Sequence, residues 1–224
     1  VNEPQVTELE EAQDNVEIVR DQLAAILSLE LQNQFELAKN EGKPTADYDI
    51  KIYVENSRPY DTIDDEAVSL VNIVLQEVTT PHGNPRMGAQ KSQAIFHLYC
   101  TANGNTTGDF RDDQSASFRA WRIMRLVRRI LMSEQYTYLG MRKTVTSRTI
   151  TKMEAGTPNV QAAQAFTVIR AHLEVQYTES YIGGPSAPFE GYDFEVSPDD
   201  GQVIAKPSLI DRVTGLANNN SEEE

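Results

Sequence analysis

Residues 166–179, FTVIRAHLEVQYTE, place Ile169, Ala171, Leu173, Val175 and Tyr177 at every second position, with Arg170, His172, Glu174 and Gln176 between them. A helix does not gather such a set on one face, because its side chains repeat every 3.6 residues. A strand does, since successive side chains point to opposite faces of a sheet. A strand of this length must find neighbours for its backbone N–H and C=O groups. The first requirement on the fold is therefore a sheet with one buried face and one wetter face.

Candidate neighbours are spread along the chain. DIKIYVE alternates Ile50, Ile52 and Val54 against Asp49, Lys51 and Tyr53. VSLVNIVLQEV (68–78) and QAIFHLYCTA (93–102) are apolar and rich in residues that favour strands. KTVTSRTITKM (143–153) reads as a further strand, expected to pair with 166–179 as a hairpin. TTPHGNPRMGA and NGNTTGD carry the Pro and Gly content of turns and loops.

Two segments follow helical spacing instead. In the first, Val16, Val19, Leu23, Ile26, Leu27, Leu31 and Phe35 predict a long amphipathic helix over about 15–40, with Asn15 as N-cap and Gly42 and Pro44 as stop signals. The second spans about 112–135, with Asp112 or Asp113 at its start. Projected at 100° per residue, Ala116, Ala120, Ile123, Met124, Val127, Ile130 and Leu131 form one face. Arg122, Arg125 and Arg129 lie on the opposite face, with Phe118 between them and Trp121 toward its edge.

The expected fold is α+β: a mostly antiparallel twisted sheet flanked by two main helices, with an extended C-terminal arm. Residues 1–14 read as a flexible acidic N-terminus, 15–183 as the core domain, and 184–224 as the arm with a disordered tip. At 39% hydrophobic residues the chain has enough apolar content for a packed core, so disorder is expected only at the ends.

The formal net charge of -14 and a pI near 4.6 argue against general nucleic-acid binding, which needs a basic surface, and against adhesion to anionic membranes. No apolar run approaches the roughly 20 residues that cross a bilayer, and the N-terminal sequence lacks a basic-then-apolar secretory pattern. A cytosolic site of synthesis is expected. A single cysteine, Cys100, excludes an intrachain disulfide framework.

Catalytic signals are weak. His82, His97 and His172 are not spaced three or four residues apart, as helical metal ligands would be. They read as structural or solvent-facing, and Cys100 as a buried inert thiol. Phosphate-binding loops, dinucleotide glycine patterns and nucleophile elbows do not occur. DTIDDE (61–66) reads as a solvated acidic loop. The expectation is a protein without catalytic residues, metal or cofactor.

What stands out is SFRAWRIMRLVRRILMS (117–133), with five arginines and no acid in a strongly acidic chain. Three readings stay open. The arginines form a solvated helix face bridged to nearby acids, or they dock on an acidic surface of another subunit, or they form a nucleic-acid patch, which the acidic field of the whole molecule opposes. Arginine beside large aromatics is the usual composition of interface anchors. Glu17, Asp21, Glu30 and Glu36 on the first helix are candidate partners, within the chain or from a neighbour.

The order of elements, carried by VEIVRDQLAAILSLEL, YDIKIYVENSRPYD, VNIVLQEV, AIFHLYC, SFRAWRIMRLVRRILMSEQYTYLGM and AFTVIRAHLEVQY, resembles the tail terminator (tail completion) proteins of long-tailed bacteriophages over about residues 15–180. That resemblance implies a small α+β domain that assembles as a ring, a homohexamer, at the head-proximal end of the tail. The ring stops polymerisation of the tail tube and faces the neck. The arm after residue 184 suggests the contractile-tailed type, with a sheath contact. The implied partners are further copies of the chain, the tail tube protein, the sheath protein and the neck proteins. The implied location is the virion, after assembly in the host cytoplasm. Phe118, Trp121, Arg122, Arg125 and Arg129 would form one side of the subunit interface, with Glu17 and Asp21 on the other. The alternatives are another head–tail connector or head-completion protein and, from a different class, a small-molecule or metal-dependent enzyme using His82, His97 and acids.

Overall fold

The structure is a computed structural model, and it describes residues 13–57, 69–80, 90–104, 112–156, 166–179, 194–196 and 203–205. The expected flexible N-terminus (1–12), the DTIDDE loop, His82 and the tip of the arm lie outside these residues.

The long alternating run is strand β5 (Phe166–Glu179), and it lies inside a five-stranded sheet. The other strands are β1 (Ile50–Val54), β2 (Ser69–Thr79), β3 (Gln90–Asn103) and β4 (Val145–Ala155), in the order β1-β2-β3-β5-β4. β4 pairs antiparallel with β5, as the hairpin reading expected, and β3 covers the other edge of β5 over its full length. β2 and β3 are also antiparallel, whereas β1 runs parallel to β2. The fold is thus α+β with a mixed, mostly antiparallel sheet flanked by two helices.

Helix α1 (Asn15–Asn40) starts one residue earlier in its capping than expected: Asp14 is the N-cap, and its N–H donates to the Glu17 carboxylate at 3.0 Å. The helix ends in a Schellman-type closure. Lys43 N–H reaches Ala38 O at 2.9 Å and Gly42 N–H reaches Lys39 O at 3.1 Å, with Gly42 at φ +67°. Helix α2 (Asp112–Leu131) follows β3 and is shorter than the 112–135 expected, because Glu134–Tyr136 forms a separate 3-10 turn.

Both helices share one core with a single face of the sheet. Val19, Leu23, Ile26 and Leu27 of α1 and Ile123, Met124, Val127 and Leu131 of α2 meet Phe96, Leu98, Cys100, Ala171, Leu173 and Val175. All seven positions assigned to the buried face of α2 are buried. Arg148 on β4 fastens the end of α2 to the sheet: its guanidinium donates to Leu131 O and, at 2.5 Å, to Ser133 O.

One expectation needs correction: α1 is not simply amphipathic, since Gln22 through Leu27 are all buried. Two short strands of the C-terminal arm lie within the described residues. Strands β6 (Phe194–Val196) and β7 (Val203–Ala205) pair antiparallel, and β7 lies against α1 and β1. Contacts of α1 with β1, β7 and α2 accompany the continuous buried run, while Gln32, Asn33, Leu37 and Lys39 further along the helix stay exposed.

Candidate functional site

The fold turns the unburied face of α2 outward as a stripe. Phe118, Trp121, Arg125, Arg128, Arg129 and Met132 recur at spacings of three and four residues, opposite the core-facing Ala116, Ala120, Ile123 and Val127. Phe118 is 63% exposed and Trp121 is 39% exposed, high values for the two largest apolar side chains of a helix whose other face is sealed. Arg125, Arg128 and Arg129 are exposed and form no salt bridge among the described residues. Arg128 and Arg129 also sit in the last turn of α2, where positive charge complements the helix carbonyl end.

The expected arginine face therefore divides in two. Arg122 belongs to an internal network rather than to the open stripe. Its Nη1 contacts Asp47 Oδ2 at 2.9 Å, and its guanidinium carbon lies 4.3 Å from the centroid of the Tyr48 ring. Arg119 shares the same acid, donating from Nε at 3.0 Å and Nη2 at 2.8 Å to Asp47 Oδ1, and also reaches Asn103 O at 3.3 Å. Asp47 is carried by the 3-10 turn Thr45–Asp47 just after α1. Two arginines on one carboxylate, with a ring beneath one of them, fix the start of β1 against α2.

The acids proposed as partners on α1 are engaged close to home. Glu17 accepts from the Asp14 N–H, and Asp21 pairs with Arg20 at 2.8 Å and accepts from Gln13 at 3.2 Å. Glu30 accepts the Tyr136 hydroxyl, and Glu36 lies 3.8 Å from Lys39. None of these four bridges α2 within the described residues. A groove of about 260 Å³ separates the helices where Glu30, Gln34, Arg129, Ile130 and Tyr136 meet, so Arg129 stands on its rim.

A second polar cluster occupies the other face of the sheet. Glu154 on β4 accepts from Arg170 Nε at 3.0 Å, from Arg170 Nη2 and from Lys152, and its Oε2 lies 3.1 Å from His172 Nε2. Those donors, Lys152 first, hold the Glu154 carboxyl down at about 2. The His172 ring is 4.3 Å from that of His97, its direct cross-strand partner, and His97 Nδ1 is 3.3 Å from the Tyr99 hydroxyl. Burial lowers the His97 pKa, electrostatic coupling to His172 and Arg170 lowers it further, and Glu154 opposes them. Cys100 is fully buried, and burial pushes its thiol well up. Among the described residues, no group of three or more His, Cys, Asp or Glu is arranged to hold a metal ion.

Phe118, Trp121, Arg125 and Arg129 are thus brought together on one exposed stripe, whereas Arg122, Glu17 and Asp21 have local partners. Arg128 belongs to the stripe and was not singled out, although the same helical projection places it there. Asp47 could not be found this way, because it meets Arg122 across 75 positions of sequence. Among the described residues no helix is long and apolar enough to cross a membrane. A scan against protein-family models finds no match to this chain, and a search of curated proteins finds no relative.

Proposed function

We propose that the protein is a structural assembly factor of the phage tail terminator type, working through α2 as a docking ridge and catalysing no reaction. The observation that supports this reading is the exposed stripe of Phe118, Trp121, Arg125, Arg128, Arg129 and Met132. Solvated helix faces are rarely built from aromatics, whereas Trp and Arg dominate the energetics of protein interfaces. The stripe lies on the side of α2 opposite its core-facing residues.

On this reading, copies of the chain join head to tail around a closed ring. The ring caps the tail tube at its head-proximal end and presents surfaces to sheath and neck. Strand borders with no paired strand among the described residues would give the ring a second kind of contact. β4 is an edge strand of eleven residues. β2 extends past its last pairing with β1 at Ile73 and is exposed from Gln76 to Thr79. Such borders accept strands from a neighbour.

The test is direct. The purified protein is imaged by electron microscopy alone and after mixing with tail tubes, and tube length is measured. Rings seated on one tube end, with growth stopped, are the expected result. A protein that neither forms rings nor binds tubes would sink the reading.

A further inference from the structure

The acidity of this chain is unevenly placed. The described residues hold 15 of the 20 lysines and arginines but 17 of the 34 acids, so the folded framework is close to balanced. The remaining sequence carries the other 5 basic and 17 acidic residues, and with them nearly all of the net -14. Within the framework, the arginines of the α2 stripe have no acidic counterpart on their own helix after Asp113. A cationic, aromatic ridge and a set of acidic segments therefore coexist in one chain.

We propose that the α2 ridge receives the acidic stretch 1–12 of a second copy of this chain. This names the partner of the ridge and rests on the assembly reading above. The stretch VNEPQVTELEEA carries Glu3, Glu8, Glu10 and Glu11 with no lysine, arginine or histidine, and it adds Val6 and Leu9. That composition complements the ridge on both counts: carboxylates for Arg125, Arg128 and Arg129, and aliphatic groups for Phe118, Trp121 and Met132. The other acidic segments fit less well, since 58–68 includes Arg58, 206–224 includes Lys206 and Arg212, and 180–193 and 197–202 carry only two acids each. The stretch is also long enough. At 1.5 Å per residue, the ridge from Phe118 to Met132 is about 21 Å long. Twelve residues in extended form reach roughly 40 Å, enough to cross it.

The arrangement gives a handed contact. Each copy offers one ridge and one acidic stretch, which are different surfaces, so each copy binds two neighbours in the same sense around a ring. It also explains how acidic subunits associate, because the charge of one copy is met by the ridge of the next instead of repelling it.

A charge-swap experiment on the full chain tests this. One variant carries Arg125→Glu, Arg128→Glu and Arg129→Glu; the other carries Glu3→Lys, Glu8→Lys, Glu10→Lys and Glu11→Lys. Association is followed by sedimentation velocity in low salt, with Trp121 fluorescence as a local reporter and circular dichroism as the check on folding. Each variant alone should associate at least about tenfold more weakly than the parent, as loss of several charge-assisted contacts implies. Mixing the two should restore association, because each then meets an opposite charge. Parent-like association of either variant alone, or no rescue on mixing, overturns the proposal. Rescue that fails while Trp121 responds within the monomer would show that the stretch folds back on its own chain, which also overturns it. If a charge-reversed variant loses its helical signal, glutamine at the same arginines replaces it, and undiminished association then counts against the proposal. A parent protein that stays monomeric and leaves tail tubes uncapped removes the assembly reading itself, an outcome distinct from assembly that ignores both charge reversals.

Discussion

Glu154 serves Lys152, Arg170 and His172 with one carboxylate, and this governs how the protein answers acid. With its pKa lowered to about 2 from the usual 4.5, the carboxylate favours folding fully above pH 4.5, and that contribution is lost as pH falls from there toward 2. His97 acts in the same direction at a higher pH. Its pKa is lowered in the fold, so the unfolded chain takes up a proton first, and stability falls as pH drops below about 6.5. Thermal unfolding followed from pH 7 to pH 3 should therefore show a decline in two stages. Glu154→Gln should flatten the second stage and, by removing a charge that raises the His97 pKa, deepen the first; an unchanged acid limb would show that the cluster does not couple to folding. Arg148 supports a different prediction. Arg148→Met leaves the carbonyls of Leu131 and Ser133 without their donor, and urea unfolding should show a loss of about 2 kcal/mol. Arg148→Lys should recover only part of that, because an ammonium cannot reproduce the planar fork.

At the scale of elements, the end of α1 isolates a purely backbone effect. A Cβ on Gly42 would meet nothing within 4 Å, yet the residue sits at φ +67°. Gly42→Ala should thus cost about 1 kcal/mol through the left-handed conformation alone, measurable as a shift in the urea midpoint with no change in slope. The elements themselves were largely legible in the sequence, for a local reason. Alternation in 166–179 and the core-facing set from Ala116 to Leu131 are set by the residue's own neighbours, and both stand as read. Beyond the β4–β5 hairpin, pairing order was not legible, since nothing in β3 says that it lies between β2 and β5, nor in β1 that it runs parallel. The buried circumference of α1 was missed for the same reason, because β7 arrives from more than 150 residues further along the chain. At the candidate site, the stripe was visible as a helical projection. Its loss of Arg122 was not, because Asp47 and Tyr48 recruit that side chain from a distant turn.

For the molecule as a whole, the separation of charge has separate consequences for folding and for association. The described framework is nearly balanced, with 15 basic and 17 acidic residues, and most of its ion pairs are at least partly exposed. Exposed pairs of this kind contribute about 0–1 kcal/mol each, and salt screens attraction and repulsion alike. Melting of the subunit should accordingly move by only a few degrees between 50 mM and 500 mM NaCl, the range corresponding to roughly 1 kcal/mol or less at this size. Contacts that join an arginine ridge to acidic sequence have no such cancellation, because one sign faces the other across the interface. Association should therefore weaken steeply over the same salt range while the melting temperature hardly changes. Sedimentation velocity and calorimetry on the same samples separate the two responses. If both quantities changed together, the charges that join copies would be the ones that hold the fold, and the division between a closed core and an outward ridge on α2 would be wrong.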